Sequence, residues 1–285
     1  MSRTKFLTAA FLLLALAGCA NPPAAAVSLS QADEKFAALC RDEMKYPVVI
    51  KRAPNTVWIY LPMEENIFDF KASPKGPKMS TQATEGFAIQ YLDVNFAEEK
   101  FLVQYDINKI KKYTKDLGYA SNYSGKYQEK QRNLLTTIFR AYADVPTEQV
   151  PPFFVLVIAD ITKGLETTTI FNFGDFKRAM SDQSFYEEFT RRTVSDEPKG
   201  NTNIIGDTDG RHLEITEVTW PEFLSKQIQY RIRMKYQYSS FPPGPNTPQE
   251  IADIAAAVTG AYNFTDYSVI VLEDLDAGTK TTVGR

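Results

Sequence analysis

One pattern, valine–apolar–x–Asp–apolar–x–x–Gly, occurs twice in this chain, as Val157-Ile158-Ala159-Asp160-Ile161-Thr162-Lys163-Gly164 and as Val271-Leu272-Glu273-Asp274-Leu275-Asp276-Ala277-Gly278. Each copy follows a segment of helical character that ends in Ala-Tyr, at residues 141–142 and 261–262. We interpret the two copies as repeated strand–helix–strand units, and we predict an α+β fold of mixed or antiparallel sheets with packed helices. The alternative is that helix and strand alternate here by chance.

The strands around these copies can be predicted from their apolar patterns. Residues 153–161 form a nearly continuous apolar run, which is typical of a central strand covered on both faces. Residues 48–51 and 56–61 predict one hairpin, and residues 87–94 and 101–107, which alternate in polarity, predict a second.

The helical pattern, with apolar residues three and four positions apart, marks further segments. The predicted helices cover residues 30–44, with Ser30 as the N-cap, 127–143, 175–192 and 248–262. Thr219 and Glu222 have the spacing of a capping box, so another helix is predicted to start there.

Residues 228–238 alternate strictly between apolar and polar side chains, and this period of two predicts a strand with one buried face. Its polar face carries Arg231, Arg233 and Lys235, which are our candidate residues for binding an acidic partner or lipid head groups. The competing interpretation is a solvated edge-strand face that discourages aggregation.

The N-terminus has the parts of a bacterial export signal. Arg3 and Lys5 precede a twelve-residue apolar stretch, residues 6–17, which is followed by Gly18 and Cys19. A membrane-spanning helix needs about 20 apolar residues, so this stretch is too short for one. It resembles the signal peptide and lipobox of a bacterial lipoprotein. The alternative is an ordinary secretory signal with a chance cysteine.

This resemblance covers the N-terminus only, and it implies a localisation. It implies cleavage after residue 18 and lipidation of Cys19 with a covalent diacylglycerol and an N-acyl chain. Because Ala20 stands where aspartate would favour the inner membrane, it implies an outer-membrane, periplasm-facing protein in the cell envelope. We therefore divide the chain into a signal peptide (1–18), a lipidated cysteine and tether (19–29) and an α+β body (30–285), with 30–125 and 126–285 as candidate subdomains.

Composition excludes some function classes. The chain has 285 residues, and removal of residues 1–18 takes away two basic residues and no acidic ones, which lowers the net charge from −3 to −5. A mildly acidic chain lacks the positive charge of a nucleic-acid binder. With Cys19 lipidated, Cys40 has no cysteine to pair with, and its place on the apolar side of a helix predicts a buried thiol.

Motifs for catalysis and metal binding are weak. The single histidine, His212, excludes zinc sites that need two histidines, and we predict that it lies at the surface. Asp207 and Asp209 look like part of a calcium loop, but the EF-hand spacing fails and a polar turn is the preferred interpretation. Asp160 and Asp274 could be paired acids, although an aspartate before a glycine turn usually caps that turn.

By elimination, the sequence predicts a lipid-anchored, non-catalytic docking or structural protein of the envelope, with no cofactor and with another envelope protein as its partner. Two alternatives stay open. One is a lipoprotein that binds glycan or another small ligand through tyrosines between Tyr113 and Tyr127. The other is a carboxylate-based hydrolase that uses acids such as Asp160.

Overall fold

The computed structural model describes residues 27–72, 84–112, 119–196, 198–236 and 246–285. The α-helices in these ranges are α1 (Leu29–Leu39), α2 (Gly125–Tyr142), α3 (Phe173–Ser181), α4 (Tyr186–Arg192), α5 (Trp220–Tyr236) and α6 (Thr247–Ala261). The strands are β1 (Val49–Ala53), β2 (Thr56–Met63), β3 (Phe68–Ala72), β4 (Thr84–Ala97), β5 (Lys100–Lys112), β6 (Tyr119–Tyr123), β7 (Phe153–Asp160), β8 (Leu165–Asn172), β9 (Val194–Ser195), β10 (Lys199–Gly200), β11 (Val269–Asp274) and β12 (Thr279–Gly284).

The strands form two larger mixed sheets and one small pair, which confirms the predicted α+β class. Sheet one has the order β1-β2-β7-β8, and β9 and β10 both pair with β8. Sheet two has the order β12-β11-β5-β4, and β3 pairs with β6. In the part of the chain that the structure describes, no helix is both long and apolar enough to span a bilayer.

Both larger sheets have the same topology. Each consists of two antiparallel hairpins joined through a parallel pair, β2 with β7 in sheet one and β5 with β11 in sheet two. The members of each parallel pair are far apart in the chain, and other strands as well as helices lie between them, β3 to β6 between β2 and β7 and β6 to β10 between β5 and β11. The predicted strand–helix–strand units are therefore wrong, because residues 101–107 lie on β5 in sheet two whereas β7 belongs to sheet one, and residues 228–236 are helical.

The repeated sequence pattern forms the same turn in both sheets. The Asp160 carboxylate accepts hydrogen bonds from the backbone N–H groups of the second and third residues after it, at 3.0 Å each. Asp274 does the same in its turn, at 3.1 and 3.0 Å. Gly164 and Gly278 complete the two turns with φ of 69° and 63°. The two aspartates therefore cap turns in different sheets.

The Ala-Tyr pair at the end of each helix also has a repeated role. Tyr142 donates a hydrogen bond to Asp33 at 2.5 Å, and Tyr262 donates one to Asp175 at 2.6 Å. An arginine pairs with each of these carboxylates, Arg52 with Asp33 and Arg192 with Asp175. The phenol groups therefore attach each helix end to a charged pair on a neighbouring element.

Sheet one is covered on both faces. All eight residues of β7 are buried, as its apolar sequence predicts. Apolar side chains of α1, α2 and α3 pack on one face. The opposite face, which we call the outer face, packs against Ile204, Val218 and Phe223, from the segment 202–218 and from α5.

The predicted strand at 228–238 is wrong, because residues 220–236 form helix α5. Leu224, Ile228, Ile232 and Tyr236 recur every four residues and are all buried, whereas Met234 is 61 % exposed. These side chains pack on sheet two. Over a short stretch, apolar residues four positions apart fit both the strand period of two and the helical repeat. Packing of these residues on sheet two favours the helix.

Two boundaries also differ from the prediction. The first helix begins at Leu29, and its N-cap is Ser28, which forms a capping box with Gln31, instead of Ser30. A division at residue 125 does not separate the sheets, because each larger sheet contains strands from before and after that point.

Candidate functional site

His212 is not a surface residue, which corrects the sequence prediction. Its side chain is 4 % exposed, and both ring nitrogens contact carboxylates. Nδ1 lies 2.5 Å from Oδ2 of Asp207, and Nε2 lies 2.9 Å from Oε2 of Glu166 on β8. A histidine between two mostly buried carboxylates thus joins the segment 202–218 to sheet one.

This segment crosses the outer face of sheet one and is attached along its length. Near its start, the N–H of Gly206 donates to the carbonyl of Ile161 at 2.9 Å. Near its end, Nε1 of Trp58 donates to the carbonyl of Thr216 at 2.9 Å. The N–H of Val218 then donates to Oγ1 of Thr56 at 2.7 Å. His212 lies between these attachments.

The backbone before His212 requires glycine. Gly210 has φ of 63°, and a Cβ there would lie 3.1 Å from the ring of Tyr60. That same ring makes an edge contact with the His212 ring, at 5.5 Å between centroids. The Tyr60 hydroxyl donates to the carbonyl of Asp207 at 2.6 Å. A close backbone approach therefore places the histidine against both the tyrosine and its carboxylates.

The hydrogen bonding of His212 limits its chemistry. An ionised carboxylate can only accept hydrogen bonds, so both contacts are satisfied together when both ring nitrogens carry protons. A general base needs a ring nitrogen that can reach a substrate. Here Asp207 and Glu166 occupy both nitrogens, so the arrangement favours a structural role for His212.

Asp207 and Asp209, the candidate calcium ligands, direct their oxygens at N–H donors. Asp207 accepts from the backbone N–H of His212 at 3.0 Å and from that of Asp209 at 3.1 Å. Asp209 pairs with the exposed guanidinium of Arg211 at 2.6 Å. This geometry is that of a polar turn, the preferred interpretation from the sequence.

The environment of Asp207 predicts a dependence of stability on pH. Burial by itself raises the pKa of this carboxyl, but hydrogen bonds from the ring and backbone of His212 outweigh it and hold the pKa well below its usual range. We expect Asp207→Asn to lower the free energy of unfolding by about 2 kcal/mol at pH 7, because charge-assisted hydrogen bonds are lost.

A lowered folded-state pKa stabilises the protein above the unfolded-state value of about 4, and this contribution disappears as the pH falls toward the folded-state value. The difference in free energy of unfolding between wild type and Asp207→Asn should therefore become smaller below about pH 4. Urea unfolding from pH 7 down to about pH 2.5 measures it. Asp209→Asn is the control and should have nearly the same free energy of unfolding as wild type. If Asp207→Asn differs from wild type by the same free energy at every pH, the lowered pKa of Asp207 is contradicted.

A groove of about 420 Å³ lies beside His212 on the outer face of sheet one. Its floor is apolar and consists of Val155, Val157 and Ile170, and Trp58 lines it as well. Around this floor stand five carboxylates, Glu166, Asp196, Glu214, Glu217 and Glu222, and two lysines, Lys199 and Lys226. We call it the acidic groove.

The charges in the acidic groove are unequally compensated. Lys226 and Lys199 both pair with Asp196, at 3.5 and 4.0 Å. Glu214 is exposed and has no ion pair with any residue that the structure describes. Both lysines therefore neutralise one carboxylate between them, and the groove has a negative rim above an apolar floor.

The three basic candidates from the sequence do not form one face. Arg231 lies 3.5 Å from Glu188, and Lys235 lies 2.8 Å from Glu250. Arg233 lines a separate cavity of about 350 Å³ together with Lys199 and Lys226. Since side chains on a helix rotate by about 100° per residue, alternate positions point in different directions.

The remaining candidates are only partly described. Cys19 and Tyr113 lie outside the described residues. Tyr123 and Tyr127 stack on each other with centroids 4.8 Å apart, and Tyr127 is buried. Cys40 is buried, and burial raises the pKa of its thiol to about 12.

His212 and the acidic groove could not be read from the sequence, because their residues come from distant segments. Asp207 lies five residues before His212 and is the one local signal, whereas Glu166 is 46 residues away. No protein-family model matches the chain, and neither a curated protein nor a solved structure is significantly similar to it.

Proposed function

We propose that this protein is a lipid-anchored component of the cell envelope that faces the periplasm and docks another envelope protein without catalysis. The acidic groove is the observation that carries the docking proposal. The half-buried side chains of Trp58 and Leu213, which also line the groove, offer apolar surface that a partner can bury, and the carboxylates select the charge of that partner. The lipoprotein-like N-terminus, with lipidation at Cys19, supports the location.

The carboxylates of the groove also define the partner. Asp196 pairs with the two lysines and Glu166 contacts His212, whereas Glu214, Glu217 and Glu222 have no ion pair with any residue that the structure describes. A docking segment therefore gains most if it carries lysine or arginine side chains next to apolar ones. An acidic segment would be repelled, because like charges across an interface weaken binding. We therefore propose a basic, partly apolar segment of another protein.

Site-specific photocrosslinking in cells tests this docking. A photoreactive amino acid in place of Glu214, on the rim, should give a discrete adduct with one protein. The same substitution at Lys280, on the exposed strand β12, is the control and should give none. Adding Glu217→Lys should remove the Glu214 adduct, since it reverses a charge in the groove. Lipid adducts alone, or the same adducts from both positions, would contradict the proposal.

A glycan is the second candidate, and Trp58 is the observation that favours it. An aromatic ring beside carboxylates suits the apolar face of a sugar and its hydroxyl groups. If a soluble cell-wall glycan fragment raises the melting temperature, and Trp58→Ala removes that rise, the groove is a glycan site. The crosslinking experiment would then give no discrete protein adduct.

A further inference from the structure

The last residues of β4 have backbone groups that no strand in the described part of the chain pairs with. Strand β4 is the end of sheet two, and β5 is its neighbour on one side. The hairpin closes at Ala97 and Lys100 through Glu98 and Glu99, which have φ of 50° and 57°. In a two-residue hairpin, the closing pair shares hydrogen bonds, and bonded and non-bonded pairs then alternate.

This alternation identifies which residues of β4 direct their backbone groups away from β5. Counting back from Ala97, Asn95 bonds to β5, whereas Phe96, Val94 and Leu92 direct their N–H and C=O groups away from it. A side-chain contact supports this orientation independently. The Gln229 side chain on α5 donates to the carbonyl of Leu92 at 2.9 Å, from the side opposite β5.

A cavity of about 570 Å³ lies along this outward edge, between residues 94–96 of β4 and the first turns of α5. Ser225 on α5 lines it, is 6 % exposed, and has a hydroxyl group without a hydrogen-bond partner. A buried polar group without a partner is uncommon in folded proteins. The cavity therefore combines an unpaired strand edge with an unsatisfied hydroxyl.

We propose that an extended segment of a partner protein adds to sheet two as a new strand beside β4, with hydrogen bonds to the backbone of Val94 and Phe96. Strand addition to a free sheet edge is a common way to bind extended peptides. This inference rests on the proposed docking function. The cavity at β4 and the acidic groove share Glu222 and Lys226, so one extended segment can continue from the edge into the groove.

A partner segment fits this edge better than a second copy of the chain. The side chain of Gln229 on α5 already donates a hydrogen bond to the carbonyl of Leu92. Helix α5 therefore lies beside the edge, and only a few residues of β4 have backbone groups open to a new strand. Pairing of β4 with β4 from another copy would bring a second α5 to the same place. The negative rim of the groove again favours a basic segment.

The experiment uses the mature lipidated chain in neutral detergent and the peptide acetyl-(Lys-Val)4-amide as the probe. Residue-level hydrogen exchange should show that saturating peptide slows the Val94 and Phe96 amides by about tenfold or more. The Asn95 amide, which already bonds to β5, is the internal reference and should not change.

Two N-methylated peptides test for backbone pairing. One carries the methyl groups on the odd-numbered amides and the other on the even-numbered amides, and a strand presents alternate amides to each neighbour. One of the two should bind at least about tenfold more weakly than the unmodified peptide, and the other should have the same affinity as the unmodified peptide. Equal affinity of all three would overturn strand addition, as would no binding at about 1 mM peptide.

Variants of Val94 separate the backbone from the side chain. Val94→Pro removes the outward N–H, and proline is tolerated on edge strands, so the peptide should no longer bind. Val94→Ala is the matched control, since it shortens the side chain and retains the N–H, and it should bind normally. Equal binding by both variants would overturn the proposal, and circular dichroism checks that both are folded.

The outcomes for the edge and for the groove are distinguishable. Glu217→Lys should weaken binding of the peptide, because it reverses a charge in the acidic groove. The preference for one N-methylated peptide over the other should remain. If that preference persists while Glu217→Lys changes nothing, strand addition stands and docking in the acidic groove fails. Protection of Val94 and Phe96 without peptide, together with self-association in sedimentation, would identify a second copy and overturn the partner proposal.

Discussion

Replacing His212 with alanine is expected to lower the free energy of unfolding by about 3 kcal/mol, because it leaves two mostly buried carboxylates without the side chain that contacts both of them. Here two carboxylates lose their partner at once. Asp207 is 8 % exposed and Glu166 is 14 % exposed, so water compensates only part of the loss. Urea unfolding at pH 7, followed by circular dichroism, measures the change.

The neighbouring residue supplies the matched control. Arg211 is 83 % exposed and pairs with Asp209 at the surface, so Arg211→Ala should cause no measurable loss of stability. Adding Glu166→Gln to His212→Ala should recover part of the loss, since one buried charge is removed. If His212→Ala and Arg211→Ala are equally mild, His212 does not hold the segment 202–218 on sheet one.

Replacing Cys19 with alanine is expected to move the protein from the membrane fraction to the soluble fraction and to abolish incorporation of labelled palmitate. One acyl chain holds a protein to a bilayer only weakly, whereas two or more hold it stably, at about 0.8 kcal/mol per buried methylene. Without Cys19, the residue that the lipoprotein resemblance assigns as the attachment point is missing. The change should therefore be nearly complete.

Cys40 is the matched control for Cys19. It is fully buried, and because burial raises the pKa of its thiol, it stays neutral and poorly reactive. Cys40→Ala should keep both the palmitate label and the membrane location. Labelling that persists in Cys19→Ala, or that disappears in Cys40→Ala, would contradict the proposed anchor.

The two turns of the repeated pattern could be predicted from the sequence, because they depend only on neighbouring residues, whereas the strand–helix–strand units inferred from the same pattern are not formed. Asp160 and Asp274 cap turns through N–H groups two and three residues away, and glycine supplies the positive φ that ends each turn. The apolar run of β7 predicted its burial on both faces in the same way. These features depend on neighbours within a few residues.

The strand partners could not be predicted in this way. β7 pairs with β2, and β11 pairs with β5, over separations of about 100 and 170 residues. The helix at 220–236 shows the same limit, because its apolar residues satisfy both a strand period and a helix period. Packing of Ile228 and Ile232 against sheet two decided between them.

The sequence by itself determined the class of fold, the turns, the central strand and the lipoprotein-like N-terminus, since these follow from short-range patterns of polarity, charge and backbone preference. Only the tertiary structure decided that His212 is buried between Asp207 and Glu166, and that Trp58, Val157 and Glu217 share one groove. The reason is that burial and charge pairing belong to residues that are close in space, and chain folding brings them together from distant positions.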